Sequence, residues 1–416
     1  LLRRLLPILE IALATVLLTG TGLMVSTMLR LHSVDPGFDA RNLLTVSLAL
    51  PEGGKYVERA GGDMEKATPA VTNFYQRLLE RVSALPGVES VGSITGLPTH
   101  FSERYTFTIL DHPATPPDQR PRAGYDEVSP GFFRTLRIPL RRGRFLTDHD
   151  TNSSPWAVVV NEEFVRRFLP NEDPIGKQIR LRYDPYPTEE DRPRQIVGVI
   201  GDVKHFGLNR PAPPFIYASY LQQPSAYPGG TIVGQLWQDL AIRMAPAAQA
   251  ADLSKEVRQI VAELDPEQPI GSIMSMNELL AHSLGQPRFY MQILAVFACI
   301  GVFLAGIGIY GVVSYFVSQH THEIGIRLAL GAKMVDIVLW VGKFGFTVVL
   351  IGILAGTALG LGLTRLLSAL LFGVKPNDPI TYFAVAVLLI LTACIACYIP
   401  ARRATKVDPL VALRYE

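Results

Sequence analysis

The sequence predicts a membrane α-helical protein with four transmembrane helices and an α/β extracytoplasmic domain that carries an inserted β-rich subdomain. Three observations lead there. Four windows of about 20 or more residues are free of charge and long enough to cross a hydrocarbon core roughly 30 Å thick. About 260 residues of ordinary soluble composition lie between the first window and the second. Lys and Arg crowd the short segments on one side of the windows and are sparse on the other. Charged residues are 18% of the 416-residue chain and apolar ones 48%, averages that conceal this partition.

The uncharged windows are residues 11–29, 289–319, 344–364 after Lys343, and 379–401 up to Arg402. The expected division is a cytoplasmic start with helix one over 1–29, an extracytoplasmic domain over 30–287, and a helical domain over 288–416. Helices two, three and four are expected at 289–317, 337–364 and 379–400. Arg3 and Arg4 ahead of the first window resemble a signal peptide, but no small-residue cleavage site follows and Arg30-Leu31-His32 comes directly. The second window holds 31 uncharged residues, about 46 Å of helix, more than a bilayer core needs. It is expected to project outward as a rigid lever. Gly352, Gly356 and Gly360 recur every four residues, a spacing that lets another helix approach closely, so they are expected to serve helix packing. No Asp, Glu or Arg stands in mid-span, which argues against a proton relay. Glu10 and Lys343 lie near helix ends, where side chains snorkel to headgroups.

Charge bias sets the orientation. Arg3, Arg4, Arg327, Lys333, Lys343, Arg402, Arg403, Lys406 and Arg414 fall on one side, against Arg365 and Lys375 on the other. Both termini and the 320–336 loop are therefore expected in the cytoplasm of a bacterial inner membrane, and the large domain outside it.

Within that domain Leu44, Val46, Leu48 and Leu50 alternate as a strand does. Thr68-Pro69 then opens a helix with Thr68 as N-cap and Pro69 at its first position. Val71, Phe74, Tyr75, Leu78, Leu79 and Val82 give that helix an apolar stripe, Pro86-Gly87 stops it, and 88–94 is the next strand. The unit recurs as a strand at 240–244, an apolar stripe of Leu253, Val257, Ile260, Val261 and Leu264, and an extended stretch at 269–274. Two such units predict an α/β part assembled from 30–128 and 236–287, with 129–235 inserted. The insertion is rich in Pro and Gly, with strands at 157–160, 195–200 and 215–220 and a helix from Asn161 as N-cap to Phe168.

Several functions are set aside. A net charge of +2 with no Lys/Arg run interleaved with aromatics implies no nucleic-acid partner. Cys299, Cys394 and Cys397 all fall in apolar windows, so Cys394-Ile-Ala-Cys397 reads as packing rather than a redox pair. Gly92-Ser93-Ile-Thr-Gly96 is not a nucleophile elbow, because the serine follows glycine directly. Asp202, Lys204 and His205 after the 195–200 strand read as a solvated turn. No catalytic, metal or cofactor residues are expected.

The most informative stretch is His-Thr-His-Glu-Ile-Gly-Ile-Arg-Leu-Ala-Leu-Gly-Ala at 320–332. Glu323 and Arg327 are spaced four apart with the acid first, which supports a helix. Ile324, Leu328 and Leu330 give it an apolar side, and Gly331 permits a turn into helix three. His322-Glu323 lacks the second histidine of a zinc protease, since Ile326 stands there. The pattern alone fits a partner-docking helix and an interfacial helix lying on headgroups equally well.

Glu-Ile-Gly-Ile-Arg-Leu-Ala-Leu-Gly-Ala at 323–332, between two spans, resembles the coupling segment of MacB/FtsX-type ABC transporter permeases. Val-Ser-Pro-Gly-Phe-Phe-Arg-Thr-Leu-Arg-Ile-Pro-Leu-Arg-Arg-Gly-Arg at 128–144, Val-Asn-Glu-Glu-Phe at 160–164, Glu-Asp-Pro-Ile-Gly-Lys at 172–177 and Ile-Val-Gly-Val-Ile-Gly-Asp at 196–202 are similar to the MacB-like periplasmic core domain. Pro-Ala-Arg-Arg-Ala at 400–404 and Asp-Pro-Leu-Val-Ala-Leu at 408–413 are similar to the end of such permeases, and Asp35-Pro-Gly-Phe38 resembles the ADOP group, whose long permeases repeat the four-helix unit. The resemblance implies a non-enzymatic permease subunit, the second half of a duplicated permease, that pairs with a second permease half or as a homodimer. It implies that a cytoplasmic ABC ATPase docks on Glu323, Ile324, Arg327, Leu328, Gly331 and Ala332, although members of that group often stand without one. It further implies export with a periplasmic adaptor or outer-membrane channel. An FtsX-like regulatory module without transport is the alternative, which the large outer domain disfavours. No Gly-x4-Gly-Lys-Ser/Thr loop exists in the chain, Asn171 standing where the first glycine before Gly176-Lys177 would be, so ATP is expected on the partner.

Overall fold

The computed structural model describes residues 2–59, 65–98, 103–113, 115–182, 192–224, 226–227, 233–283, 285–330, 332–367, 372–375 and 377–404. The chain divides into two units, one formed by Leu1–Ser33 with Leu284–Glu416 and the other by Val34–Ser283.

After α1 (Leu2–His32) the chain enters the second unit through β1 (Leu43–Ala49), β2 (Val57–Arg59), β3 (Glu65–Ala67), α2 (Pro69–Ser83) and β4 (Val88–Ile94). There follow β5 (Glu103–Ile109), β6 (Arg122–Val128), α3 (Phe132–Leu136), β7 (Leu140–Gly143), β8 (Ala157–Asn161) and α4 (Glu162–Phe168). The path continues through β9 (Gln178–Arg182), β10 (Arg194–Ile200), β11 (Phe215–Ser219), β12 (Ala226–Tyr227), α5 (Val233–Leu236) and β13 (Trp237–Met244). The unit ends with α6 (Ala250–Leu264), β14 (Ile270–Ser275) and α7 (Met276–Ser283).

Its first part is an open antiparallel sheet in the order β6-β4-β13-β1-β14. Strand alternation sends Leu44, Val46 and Leu48 of β1 to one face and Leu43 to the other. On the first face lie α2 and α6, whose Val71, Tyr75, Leu78, Val257 and Val261 are buried with them. Thr68 caps α2 as the sequence requires, its hydroxyl accepting from the Ala70 amide at 3.3 Å. On the second face Phe132, Phe133 and Leu136 of α3 pack with Met276 of α7.

The second part is a closed barrel. The order β11-β8-β10-β9-β5-β6 returns to its start because β11 also pairs with β6, in parallel from Phe215↔Gly124 to Ser219↔Val128. Inward residues of all six strands, among them Phe107, Tyr125, Val158, Ile179, Ile196 and Ile216, form one core with Phe164 of α4. β5 and β6, which a division at 129 assigns to the α/β part, hydrogen-bond to β9 and β11 of the middle segment. The Ile94↔Val128 pair joins β4 to β6, flanked by the Thr95 amide on the Glu127 carbonyl at 3.0 Å and the Ser129 amide on the Ser93 carbonyl at 2.9 Å, and the change from open sheet to barrel falls at this short junction.

Residues 201–205 correct the solvated-turn expectation. His205 is fully buried, its ring stacked 3.8 Å from that of Phe215 and its Nε2 2.7 Å from the Tyr217 hydroxyl. Burial holds its pKa down at about 3, so it is a neutral packing residue at ordinary pH. Asp202 caps α4: its Oδ1 accepts from the Glu163 amide at 2.7 Å and from Asn161 Nδ2 at 2.8 Å. Asn161 itself is fully buried, its Oδ1 accepting from the amides of Phe164 at 3.1 Å and Phe215 at 2.8 Å. The apolar Val203 and the ring of His205 turn inward because each finds a partner there, which a polar-looking pentapeptide does not advertise.

The segment entering this unit rests on the same loop. The Lys204 amide donates to the Pro36 carbonyl at 3.1 Å. Gly37 has φ +88°, and a Cβ there would stand 2.0 Å from the Asp202 carbonyl oxygen, so only glycine fits. Two residues on, Asp39 accepts from the Arg41 side chain at 3.0 Å and from Arg137 at 2.9 Å, while buried Arg243 gathers the Thr135, Asp39 and Arg41 carbonyls.

In the membrane unit α1 is joined by α8 (Gly285–Gln319), α9 (Thr321–Ala329), α10 (Met334–Leu367) and α11 (Pro379–Ala404). Among the described residues four helices are long and apolar enough to span: Leu5–Leu31, Arg288–Gln319, Val335–Leu363 and Pro379–Arg403. α1 contacts each of the other three and its Ile11 and Ala14 are fully buried, whereas α8 is the least covered.

Asp39 makes a pH-dependent lock on the entering segment. The Arg41 guanidinium beside it, assisted by Arg243 and Arg137, lowers its pKa from 3.8 to about 2. The stabilisation is therefore complete above the unfolded value and is lost as pH falls through about 2. The urea-midpoint difference between the wild-type chain and Asp39→Asn, measured in detergent, should be constant at higher pH and shrink between pH 3.8 and 2. A difference that holds flat through that window would show that the ion pair contributes nothing.

Candidate functional site

The loop between α8 and α10 is a short, well-tied helix. At its entry the Ile324 amide donates to the His320 carbonyl at 2.9 Å, and Thr321 Oγ1 donates to the Val317 carbonyl at 3.0 Å. At its exit the Leu330 amide reaches the Ile326 carbonyl and the Ala332 amide reaches the Arg327 carbonyl, both at 3.0 Å. The second is the six-to-one bond that closes an α-helix C-terminus. Asp336, in the first turn of α10, reaches back so that its Oδ2 accepts from the Lys333 amide at 3.1 Å in the manner of a capping box.

The two faces of α9 differ. Ile324 is 1% exposed and joins a core with Ile337 and Val341 of α10 and Ala401 of α11. Ile326 is 40% exposed and Leu330 82%, so two large apolar side chains face away from that core. Glu323 and Arg327 form the expected i,i+4 pair, Arg327 Nη2 donating to Glu323 Oε1 at 2.6 Å, with both side chains partly exposed. Arg327 also lies 4.4 Å from the centre of the Trp340 ring, which holds the guanidinium from a second direction. Ala332 is half-buried; the Leu328 side chain and Gly331 lie outside the described residues.

Sequence reasoning missed the aromatic clamp behind this loop. Phe316 and His320 at the end of α8 pack on Trp340 and Phe344 of α10, with Phe316 stacked 4.2 Å from Phe344 and His320 5.6 Å from Trp340. Its signal was legible: aromatic rings at i and i+4 on each helix flanking the loop put both pairs on single faces. Among the described residues no group of three His, Cys, Asp or Glu side chains is placed to hold a metal ion.

Comparison with known proteins places both units. Residues 5–260 match the MacB-like periplasmic core domain family and residues 295–409 the FtsX-like permease C-terminal family. The chain is 24% identical over 293 residues to the uncharacterized ABC transporter permease YknZ of Bacillus subtilis, covering 70% of this chain and 69% of that one. It is 26% identical over 291 residues to the macrolide export ATP-binding/permease protein MacB of Rhodospirillum rubrum, covering 69% of this chain and 42% of the relative, so it spans less than half of that protein. Among solved structures it is similar to the periplasmic region of MacB from Actinobacillus actinomycetemcomitans, with 16% identity, 60% of this chain and 95% of that one covered, and a TM-score of 0.37.

The glycines of α10 behave as two plus one. A Cβ on Gly352 would stand 2.7 Å from Ile11 Cβ, and one on Gly356 would stand 2.5 Å from Thr15 Cβ and 2.6 Å from the Ala12 carbonyl oxygen. Both are points where α1 touches the backbone of α10. At Gly360, among the described residues, a Cβ meets the Tyr382 ring of α11 at ordinary distances, 3.7 Å to its hydroxyl and 3.9 Å to Cε1, and no backbone of α1. Gly345 adds a contact that spacing did not reveal, since its Cβ would meet Cys397 Sγ at 2.4 Å. Glu10 departs from the snorkelling expectation. Its Oε2 is buried with no hydrogen-bond partner among the described residues, in the space that Gly308 leaves by lacking a Cβ.

Gly356→Leu should therefore lower the stability of the detergent-solubilised chain by about 1–3 kcal/mol or prevent its accumulation, as overpacking does. Gly362→Leu, where nothing lies within 4 Å, should leave the melting temperature unchanged. Equal effects of the two substitutions would remove the packing role.

Proposed function

The chain belongs to the ABC transporter permeases that combine a MacB-like periplasmic core domain with an FtsX-like permease domain, and from that premise we propose that it transmits an ATP-driven conformational change to its outer domain. The drive comes from a separate cytoplasmic ABC ATPase and the direction is export, as the name of the MacB relative describes for that protein. This chain supplies no catalytic residue to the cycle.

One observation carries the proposal: α9 is anchored on one side and open on the other. Ile324 fixes it to the helix core, while Ile326, Leu330 and the Glu323–Arg327 pair remain available to a partner. The guanidinium is held between a carboxylate and a tryptophan ring, and a docking surface gains from a charge already in position. The coupling contact is assigned to Glu323, Ile324, Arg327, Leu328, Gly331 and Ala332, with Trp340 as the positioning residue behind Arg327. α8 offers about 50 Å of continuous helix for transmission, well beyond a hydrocarbon core. The surplus of Lys and Arg beside the 320–336 loop assigns that loop and both termini to the cytoplasm, and the Val34–Ser283 unit to the outside. A second permease copy and an adaptor or channel are the remaining partners of this reading.

The topology has a direct test. In a background lacking Cys299, Cys394 and Cys397, a cysteine at Asp118 should react with an impermeant thiol reagent in intact cells and one at Lys333 should not. Inverted labelling would overturn the orientation and the coupling assignment with it.

The coupling face has its own. Arg327→Glu places a second anion beside Glu323 and removes the ring contact. If the face fills a groove on the ATPase, the cost in association should be about 2–5 kcal/mol, because one charge is left buried without its partner. The fold should survive, since a pair this exposed contributes about 1 kcal/mol or less. Co-purification of the ATPase and permease-stimulated turnover should both fall at equal membrane expression. Unchanged binding and turnover would mean that this loop does not couple.

A further inference from the structure

The outer unit contains a concave site of about 680 Å³ that the coupling reading does not use. Its wall carries Arg104, Arg120, Arg122, Arg166, Arg167 and Arg210 against two carboxylates, Glu163 and Asp202, a net charge of +4. The whole chain of 416 residues carries only +2, so this cavity concentrates positive charge that its surroundings do not share. The arginines come from β5, the turn before β6, the start of β6, α4 and the 206–214 loop, which is why no basic run marks the site in the sequence.

Its carboxylates are already committed. Glu163 Oε2 accepts from Arg166 at 2.8 Å, and Asp202 caps α4 while also meeting Arg166. Among the described residues Arg104, Arg122, Arg167 and Arg210 make no ion pair with any carboxylate. Arg104 instead lies 4.3 Å over the Phe206 ring, a contact that fixes the plane of its guanidinium. The far wall is stiff, built from Pro211-Ala-Pro-Pro214, whose ring-locked backbone keeps the cavity open. Phe168 and Phe206 give the same cavity an apolar patch.

We infer that this cavity binds a phosphate-bearing organic anion of two or more negative charges, its phosphates against Arg104, Arg122, Arg167 and Arg210 and its apolar part against Phe168 and Phe206. The volume lies in the range of small-molecule sites, about 300–1,000 Å³. Several guanidinium forks match the several oxygens of phosphate, and each charge-assisted bond is stronger than a neutral one. Four uncompensated cations around one concavity repel one another, and a multivalent anion relieves that repulsion where a monovalent one cannot. Such a group is supplied either by a soluble phosphorylated metabolite or by a lipid headgroup.

The test uses the full chain in detergent and needs no ATPase, so its failure is separate from failure of the coupling reading. Calorimetric titrations with inorganic tripolyphosphate, with water-soluble dihexanoyl phosphatidic acid and with citrate should give saturable binding to the first two, weakened by added salt. Arg122→Ser and Arg210→Ser, singly and together, should weaken binding, the pair by about tenfold or more. Arg258→Ser, at an exposed position of α6 remote from the cavity, should bind as the wild type does. Binding of tripolyphosphate alone assigns a soluble ligand, and tighter binding of the phosphatidic acid assigns a headgroup. Undetectable binding of both phosphates, equal affinity in the pocket variants and Arg258→Ser, or citrate bound as tightly as tripolyphosphate would each overturn the assignment.

Discussion

The outer unit is organised around the main chain and carboxylate of Asp202. Its side chain caps the start of α4 and accepts from Asn161, which in turn satisfies the amides of Phe164 and Phe215. Its carbonyl lies against Gly37, and the Lys204 amide two residues on binds the Pro36 carbonyl. One five-residue segment thus fixes the entry of the chain, the start of a helix and the meeting of β8 with β11. All of these are buried or half-buried polar contacts, so each costs free energy if broken and none can be exchanged singly. The same segment bears on the β11–β6 seam, because the amide of Phe215, the first residue of β11, donates to Asn161 Oδ1.

The membrane unit meets a different constraint by different means. Within lipid there is no gain from burying one apolar side chain against another, so helices associate through close packing. α1 achieves it with the absent side chains of Gly352 and Gly356, and α11 with that of Gly345. At the α8–α10 turn, where the chain leaves the hydrocarbon, packing passes to aromatic rings. Phe316, His320, Trp340 and Phe344 stiffen the two helix ends, and Arg327 rests on the Trp340 ring. Under the proposed coupling that stiffness would matter, since slack in the connection would absorb the motion.

What the sequence disclosed and what it hid follow from the range of the interactions. Thr68, Asn161, the Glu323–Arg327 spacing and the four spans depend on neighbours within a turn or on length and composition, and each is found where local pattern puts it. Closure of the barrel depends on β6 and β11, some ninety residues apart in parallel register, and nothing in either strand names the other. His205 was misread for the same reason: its partners Phe215 and Tyr217 lie beyond a Pro-rich loop, and the local composition of 201–205 is that of a turn. In the Gly352–Gly356–Gly360 repeat the first two glycines face α1 and the third faces Tyr382 of α11, because spacing fixes a face of the helix and not which neighbour meets it. The arginine cavity was invisible for the strongest reason, its cations being drawn from five separate segments.

Charge distribution separates the tasks of the two units. Within the spans the ionisable side chains are few, and Glu10 is packed against Gly308 rather than facing an aqueous path. Helices so poor in polar groups cannot replace the hydration of a charged solute, whose transfer into hydrocarbon is prohibitive without compensation. If the arginine cavity takes the anion inferred for it, recognition of a charged ligand belongs to the outer unit. Under the proposed coupling, the helices would move as continuous, closely packed rods when a partner acts on α9. On this division the specificity of the protein changes by substitution around β5, β6, α4 and the 206–214 loop, and its drive by substitution around α9. The two properties are then free to vary independently, since no residue named in one set occurs in the other.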